Sequence, residues 1–219
     1  MKNFLNILQK CPLFFGIGED RLLDMLSCLD ARLATYQKNE VIFAEGSEPK
    51  YISLVLSGTV QLERIDYYGN RSIVTRIEPS ELFGESFACA KAEYIPISAT
   101  ATEKTEVLLI DCQKIISPCT KVCSFHSQLI FNLLKIVATK NIILTQKAEI
   151  TSKRTTREKL MAYLMSEAKK QGQSSFAIPY DRQTLADYLG VDRSGLSAEI
   201  SKLRTDGIIK CRKNHFELL

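Results

Sequence analysis

The sequence predicts an α+β protein organised around one long helix, and three observations carry that prediction. Ser127 to Ile150 reads SQLIFNLLKIVATKNIILTQKAEI, without Pro or Gly and with apolar residues at helical spacing. Between Ala34 and Ile110, short runs of Val, Ile, Leu, Phe and Thr recur at near-regular intervals, punctuated by Gly46, Gly58, Gly69 and Gly84. That is the pattern of a β sandwich or barrel of short strands. Downstream of Asp181, two short helical patterns flank Gly190, and a basic hairpin pattern follows them.

The totals fit this division. At 219 residues, 45% apolar and 25% charged, the chain has the composition of an ordinary soluble globular protein with one large or two small domains. MKNFLNILQKCPLFFGIG has neither the uninterrupted apolar core nor the cleavage site of a signal peptide, so a cytoplasmic location is expected. The seven cysteines (Cys11, Cys28, Cys89, Cys112, Cys119, Cys123, Cys211) are odd in number and scattered, as expected of free, partly buried thiols in a reducing compartment. Residues 151–219 carry 13 Lys/Arg against 8 Asp/Glu, whereas residues 1–150 carry 16 against 17. All the excess positive charge thus lies in the C-terminal third, the footprint of a nucleic-acid module beside a neutral domain. A solvated basic surface would give the same balance, so charge alone does not decide.

Taken in order, residues 1 to about 32 read as helical, with a break at Cys11-Pro12 and a second segment over Glu19–Leu33 carrying Leu22, Leu23, Leu26 and Leu29. Val41-Ile42-Phe43, Ile52–Leu56, Val60–Arg64, Ser72–Ile77 and Val107–Asp111 are the strand candidates. Tyr67-Tyr68-Gly69-Asn70 reads as a hairpin turn, with Gly and Asn supplying positive φ.

The long helix carries two apolar stripes. Ile130, Leu134, Val137, Asn141, Leu144 and Ala148 are separated by alternating gaps of four and three, the seam of a coiled coil with one polar core position. Leu129, Leu133, Ile136 and Ile143 form the other stripe. Two apolar faces need two covers: the chain's own N-terminal domain and the same helix of a second copy. A helix buried within a monomer is the alternative. Lys135, Lys140, Asn141, Gln146 and Lys147 argue against a membrane span, so no membrane partner is expected.

Beyond a candidate hinge at Glu149–Arg154, Thr155 and Glu158 form a capping box for a helix over Arg157–Lys170, with Leu160, Tyr163, Leu164 and Ala168 on one face. Gln171–Ser175 is a loop and Phe176–Ile178 a short strand. Gln183–Leu189 makes a first short helix with Leu185 and Leu189 inward and Ala186 at a close helix contact. Gly190-Val191 turns the chain, and Asp192 caps a second helix over Arg193–Arg204. That second helix turns Leu196, Ile200 and Leu203 inward and Arg193, Ser194, Ser197 and Ser201 outward.

A helix in the DNA major groove needs such a face, because Arg can take both acceptors of a guanine and hydroxyls reach bases or phosphates. The free N–H groups at the helix start also favour phosphate. Lys210–Leu218 reads as a wing with a basic tip. The candidate DNA contacts are Arg182, Gln183, Thr184, Asp192, Arg193, Ser194, Ser197, Ser201, Lys202, Arg212 and Lys213. An ordinary αα corner is the plain alternative, disfavoured by the serine-rich face, the basic hairpin and the charge asymmetry. With no Ser/His/Asp constellation, phosphate loop or metal-hydrolase pairing, enzyme activity is not expected.

Two stretches give the first domain a specific likeness. VIFAEGSEPKYISLVLSGTVQLER resembles the opening of the cyclic-nucleotide-binding β-roll, and EPSELFGESFACAKAEYIPISATATEKTEVLLID resembles its closing half. With the long helix and the helix-turn-helix, nearly the whole chain resembles the Crp/Fnr transcription regulators. The resemblance implies a jelly-roll-like double-stranded β-helix sensor domain over 1–126, a dimerisation helix over 127–150 and a winged helix-turn-helix domain over 151–219. It also implies a homodimer on palindromic double-stranded DNA, a small effector in the β-roll, and RNA polymerase as a partner if the protein activates. Arg193 matches the arginine the family uses on a guanine. Ser194 stands where the best-known members have Glu, and Ala198 where they have a second arginine, so a different operator is expected.

The family's nucleotide pocket is built on Phe-Gly-Glu and a later Arg-Ser that binds the cyclic phosphate. Phe83-Gly84-Glu85 is present. Counted back from Glu106-Val107, the phosphate-binding positions fall on Ile95 and Pro96, and no cation lies between Lys91 and Lys104. Ile142 and Ile143 stand where cyclic AMP binders place hydroxyls for the adenine. An effector other than cyclic AMP is therefore expected, in a pocket lined by Phe83, Gly84, Glu85, Ser86, Phe87, Tyr94 and Ile97. Two other sensing modes of the family bear on the chain. The iron–sulfur branch uses closely spaced N-terminal cysteines, whereas Cys11 and Cys28 lie seventeen apart, so a cluster is not expected. Haem sensing of nitric oxide or CO would use His126 as the axial candidate, since His215 belongs to the wing. Cys119-x3-Cys123 near His126 is too loose a spacing for a metal site and reads as free thiols. The sequence itself requires no cofactor. The competing function is a β-roll ligand-binding module whose C-terminal part makes protein contacts only.

Overall fold

In the computed structural model, which describes residues 4–65, 67, 71–117 and 125–219, the chain divides into one unit of Met1–Thr139 and another of Lys140–Leu219. The first unit opens with α1 (Leu5–Lys10), a 3-10 turn at Pro12–Phe14 and α2 (Glu19–Cys28). Helix α2 ends sooner than its leucine spacing predicts. Leu29 is its buried C-cap, Asp30 follows at φ 50°, and Arg32-Leu33 already belong to a strand. A non-glycine residue in the left-handed region cannot continue a right-handed helix.

The strands are β1 (Arg32–Tyr36), β2 (Val41–Phe43), β3 (Tyr51–Ser57), β4 (Val60–Ile65), β5 (Arg71–Ile77), β6 (Leu82–Phe83), β7 (Ser98–Ala101) and β8 (Thr105–Asp111), with α3 (Glu85–Ala90) and α4 (Cys112–Ile116) among them. They form two antiparallel sheets, ordered β1-β8-β3-β6 and β2-β7-β4-β5. All five strand candidates lie within these elements. The expected hairpin turn at 67–70 falls, apart from Tyr67, outside the described residues.

Side-chain alternation along β3 explains the layering. Ile52, Leu54 and Leu56 join Leu108 and Ile110 of β8 in a core shared with Leu8, Leu22, Met25 and Leu26. Val55 points the other way, into a second core with Val60, Leu62, Ile77, Phe83, Ala99 and Val107 drawn from both sheets. A strand buried on both faces reads as a near-continuous apolar run, and YISLVLS is one, interrupted by the buried Ser53. Gly58, at φ 77° between β3 and β4, has no room for a side chain: a Cβ would lie 2.6 Å from the Lys104 carbonyl.

Helix α5 (His126–Thr151) lays Leu129 and Leu133 into the first core, with Ile136 and Val137 at its edge. Between those leucines sits Asn132, only 4% exposed. Its amide donates to the carbonyls of Leu13 and Phe15, both at 2.8 Å, and its oxygen accepts from Gln128 at 3.0 Å. The stripe does not run on to Ile143 as expected. That residue is 55% exposed, because the helix has left the first unit by Lys140. Along the other stripe Leu134 and Leu144 are each 64% exposed, with Ile130, Asn141 and Ala148 also exposed. By length and composition alone α5 is long and apolar enough to cross a membrane. Its buried anchors, however, are built into protein cores.

The second unit comprises the end of α5, α6 (Thr156–Gln171), β9 (Ser175–Ala177), α7 (Arg182–Leu189), α8 (Arg193–Thr205), β10 (Ile209–Arg212) and β11 (His215–Leu218). The capping box of α6 is complete: Glu158 N donates to Thr155 Oγ1 at 3.1 Å, and Thr155 N donates to Glu158 Oε2 at 3.0 Å. Leu160, Tyr163 and Leu164 of α6 pack with Leu185 and Leu189 of α7, Leu196, Ile200 and Leu203 of α8, and Phe176 and Phe216 of the small β10-β11-β9 sheet. Ile150 adds the last turn of α5 to this core. The whole is the α+β architecture predicted: a jelly-roll-like sandwich, a long helix and a helix-turn-helix with a wing.

Replacing Asn132 by Ala is expected to destabilise the first unit by about 2 kcal/mol, because two backbone carbonyls lose their donor. Urea unfolding followed by far-UV circular dichroism reads the change. An unaltered midpoint would mean that those carbonyls find other partners.

Candidate nucleic-acid interface and sensor site

Three caps position the helix pair. Asp181, before α7, accepts from Thr184 N at 2.8 Å. Gly190, at φ 61°, ends α7 in the left-handed conformation. Asp192, before α8, accepts from Gly195 N at 2.9 Å and from the Ser194 hydroxyl. The Asp192 cap corrects one expectation. The Gly195 amide in the first turn of α8 donates to the Asp192 carboxylate rather than being left free for phosphate. A carboxylate at a helix start meets the same partial positive charge that a phosphate would.

Arg193 is exposed at the first position of α8, with Ser194 beside it. Further along the helix, Ser201 is exposed and Ser197 half-buried. The Ser201 hydroxyl donates to the Ser197 carbonyl at 3.0 Å, and Ser194 donates to its cap. With their hydrogens committed, both hydroxyls present acceptor lone pairs outward, suited to the amino groups of cytosine or adenine. Lys202, exposed, is paired with Glu199 at 2.8 Å. At the start of α7, Gln183 and Thr184 are exposed, and Gln183 donates to Asp187 at 2.9 Å.

Arg182 is the one candidate contact drawn inward. Its guanidinium lies over the Phe216 ring at 5.8 Å and reaches the Lys213 carbonyl at 3.4 Å, so it braces the wing. The wing is a two-residue hairpin in which Lys213 takes φ 55° and Asn214 bonds across to Ile178. Arg212 and Lys213 are exposed at its tip, and Lys210 pairs with Glu217 across the strands at 3.2 Å.

Asp181 and Arg204 are not among the residues expected from sequence. Asp181 has the same local signature as Asp192, an acidic residue directly before a short amphipathic helix, and Arg204 follows Ser197 and Ser201 at helical spacing. Arg204 lines a cleft with Ser201, Thr205, Ile209, Lys210 and Cys211.

In the sandwich, Phe83 is buried in the second core and Ile97 packs at its edge. Gly84, at φ 78°, leads into α3, where a Cβ would sit 3.3 Å from the Tyr51 carbonyl. Glu85, the first residue of α3, is buried and accepts from Ser86 at 3.1 Å. Phe87 is half-buried, whereas Tyr94 is 56% exposed. Ile95, in the position expected to hold a phosphate ligand, is buried and fixed by its backbone to Ser47 and Gly46 at 2.9 and 2.8 Å.

His126 is buried, stacked on Phe125, with Nε2 3.1 Å from the Lys114 carbonyl. Nε2 therefore carries the hydrogen and donates, and haem ligation through it would cost that bond. Cys11 is buried within the helical core, and among the described residues no three His, Cys, Asp or Glu side chains converge on a metal-sized site. Cys119 and Cys123 lie outside the described residues.

Two family models match the chain: a cyclic nucleotide-binding domain over residues 33–119 and a Crp-like helix-turn-helix domain over residues 158–219. The transcriptional activator protein FnrA of Stutzerimonas stutzeri is 23% identical across 90% of this chain and 80% of its own length. The cyclic AMP receptor protein of Thermus thermophilus is 34% identical across 45% of this chain and 44% of its own. Among solved structures, CprK in complex with OCPA matches with a TM-score of 0.65 at 19% identity, covering 90% of this chain and 88% of CprK. That likeness is one of fold.

Both cap carboxylates are held below the ordinary aspartate range, Asp192 chiefly by the Ser194 hydroxyl and Asp181 chiefly by the Thr184 amide. A lowered folded-state pKa means the caps contribute fully above the ordinary value of about 3.9 and lose their contribution as pH falls through the lower folded value. In an NMR titration, the amide shifts of Thr184 and Gly195 are expected to move with midpoints beneath the ordinary value. Midpoints at or above it would show that the caps do not form in solution.

Proposed function

The chain belongs to the Crp/Fnr family of transcription regulators, and from that premise we propose that it acts in the cytoplasm as a homodimer on a palindromic DNA site. The observation that carries the reading is α8. Three buried apolar residues fix its inner face, while Arg193 and the serine acceptors stand outward beside the basic wing. The exposed seam of Ile130, Leu134 and Leu144 supports the dimer, because it is an apolar stripe at coiled-coil spacing with no cover in one chain. Two such helices presented by a dimer would read half-sites about one DNA turn, roughly 34 Å, apart. RNA polymerase is the further partner if the protein activates.

Arg193 would take a guanine, and Ser194 and Ala198 would give an operator unlike that of the best-known members. A small effector in the sandwich would act by binding one dimer arrangement better than another. Cyclic AMP is not that effector on this reading. Buried Ile95 and half-buried Pro96 stand at the positions of the phosphate ligands, and a buried phosphate without a counter-charge is costly.

Four measurements test this. Arg193→Ala is expected to weaken binding to a selected palindrome by about 1–3 kcal/mol, with circular dichroism and melting temperature unchanged. Binding should also weaken steeply with salt, since phosphate contacts release counterions. Salt-independent association would instead favour a module with protein contacts only. Leu134→Glu combined with Leu144→Glu should convert a sedimenting dimer to a monomer, and a wild-type monomer in the presence of the duplex would sink the proposal. Micromolar binding of cyclic AMP by calorimetry would overturn the effector reading alone.

A further inference from the structure

We propose that Cys89 and Cys112 form a reversible oxidation site, at which a hydroperoxide converts two thiols into a disulfide tying α3 to the start of α4. The two sulfurs lie 3.7 Å apart, although 23 positions separate them in sequence. Cys89 stands in the last turn of α3, and Cys112 is the first residue of α4, directly after β8. The fold has brought two scattered cysteines together at the rim of the first core. A disulfide needs the sulfurs to close from 3.7 Å to about 2.05 Å.

The pair is asymmetric. Cys112 is 1% exposed, whereas Cys89 is half-buried and open to a small reagent. A hydrogen bond between the two sulfurs, in which either thiol can donate, holds the Cys89 thiol below its ordinary range, against burial and the nearby Glu85 carboxylate. The same bond, then burial, push the Cys112 thiol up. Cys89 is therefore the nucleophile and Cys112 the resolving thiol.

The Cys89 thiolate attacks one peroxide oxygen. The S–O bond forms as the O–O bond breaks, and the departing oxyanion takes a proton and leaves as ROH. The Cys112 sulfur then attacks the sulfenic sulfur of Cys89 and expels hydroxide, which takes the remaining thiol proton to become water. Two thiols and one ROOH give one disulfide, ROH and H2O, the thiols supplying both electrons. The bond would clamp the helix that begins at Gly84-Glu85, on whose buried face Glu85 lies one turn from Cys89.

The test uses the full-length reduced protein and hydrogen peroxide. After stoichiometric oxidation, free thiols are alkylated and the protein is digested with trypsin, which can cut at Lys91 and Lys104 between the two cysteines. Mass spectrometry should find a cross-linked peptide joining Cys89 to Cys112, with loss of two thiols per chain, both restored by dithiothreitol. In Cys112→Ala, the sulfenic acid of Cys89 should persist and be trapped by dimedone. A disulfide between other cysteines, over-oxidation of Cys89 without a link, or no loss of thiols would overturn the proposal. The wild-type peptide map stands whether or not a variant folds, and it is independent of DNA binding and effector.

Discussion

The amide of Asn132 fixes which way the long helix faces. Leu129 and Leu133 alone would hold α5 against the first core by non-directional contact, which a rotated helix could satisfy nearly as well. Two directional bonds to the carbonyls of Leu13 and Phe15 remove that freedom. At roughly 100° per residue, Ile130, Leu134, Val137, Asn141, Leu144 and Ala148 all fall about 120–180° round the helix from Asn132. Bonding the one face therefore sets the seam on the opposite one. The helix-turn-helix is reached only through this helix and the short turn after it, so the direction of the seam is decided by a side chain near the N-terminal segment.

The second unit reaches its order by a different route. Two of its helices, α7 with 8 residues and α8 with 13, are short, and a helix below about 12–15 residues gains little from propensity alone. Termination is handled residue by residue: Thr155 with Glu158, Asp181 with Thr184, Gly190 at positive φ, and Asp192 with Gly195. The Tyr163, Tyr180 and Tyr188 rings add a packed cluster, with centroids 5.1–6.1 Å apart, and the Lys147 ammonium lies over Tyr188 at 5.0 Å. The Asp192 carboxylate takes the Gly195 amide in the first turn of α8, and Arg193 is the exposed cation beside it.

Long periodic segments were legible in the sequence because many residues vote together. The bounds of α5, α6, α7 and α8 fall within one residue of those read from spacing and caps. Some short elements were not. β6 has two residues, and β7 is SATA, whose small side chains carry no β signature; both exist because neighbouring strands pair with them. Leu33 was read as helical because its spacing continues that of Leu22, Leu26 and Leu29, and only the backbone at Asp30 decides otherwise. Asn132 was invisible for the opposite reason. A single amide inside an apolar run has no pattern, and its partners lie 117 and 119 residues away. Cys89 and Cys112 likewise meet only through the fold.

The sandwich constrains what kind of effector could act through it. Its inner core is apolar, made of Val55, Val60, Leu62, Ile77, Phe83, Ala99 and Val107, with Ile97 and Phe43 at the edge. If the proposed effector packs against these side chains, its contacts there are with apolar surface. Shifting any two-state equilibrium from 1:99 to 99:1 requires about 5.5 kcal/mol of differential affinity. At about 25 cal/mol per Å², that corresponds to roughly 220 Å² more apolar surface covered in one state than in the other. A small gas molecule has too little surface to supply that by contact. An effector of this site must therefore be large enough to touch several core side chains at once, or act through a covalent change in the first unit that reshapes what α5 rests on.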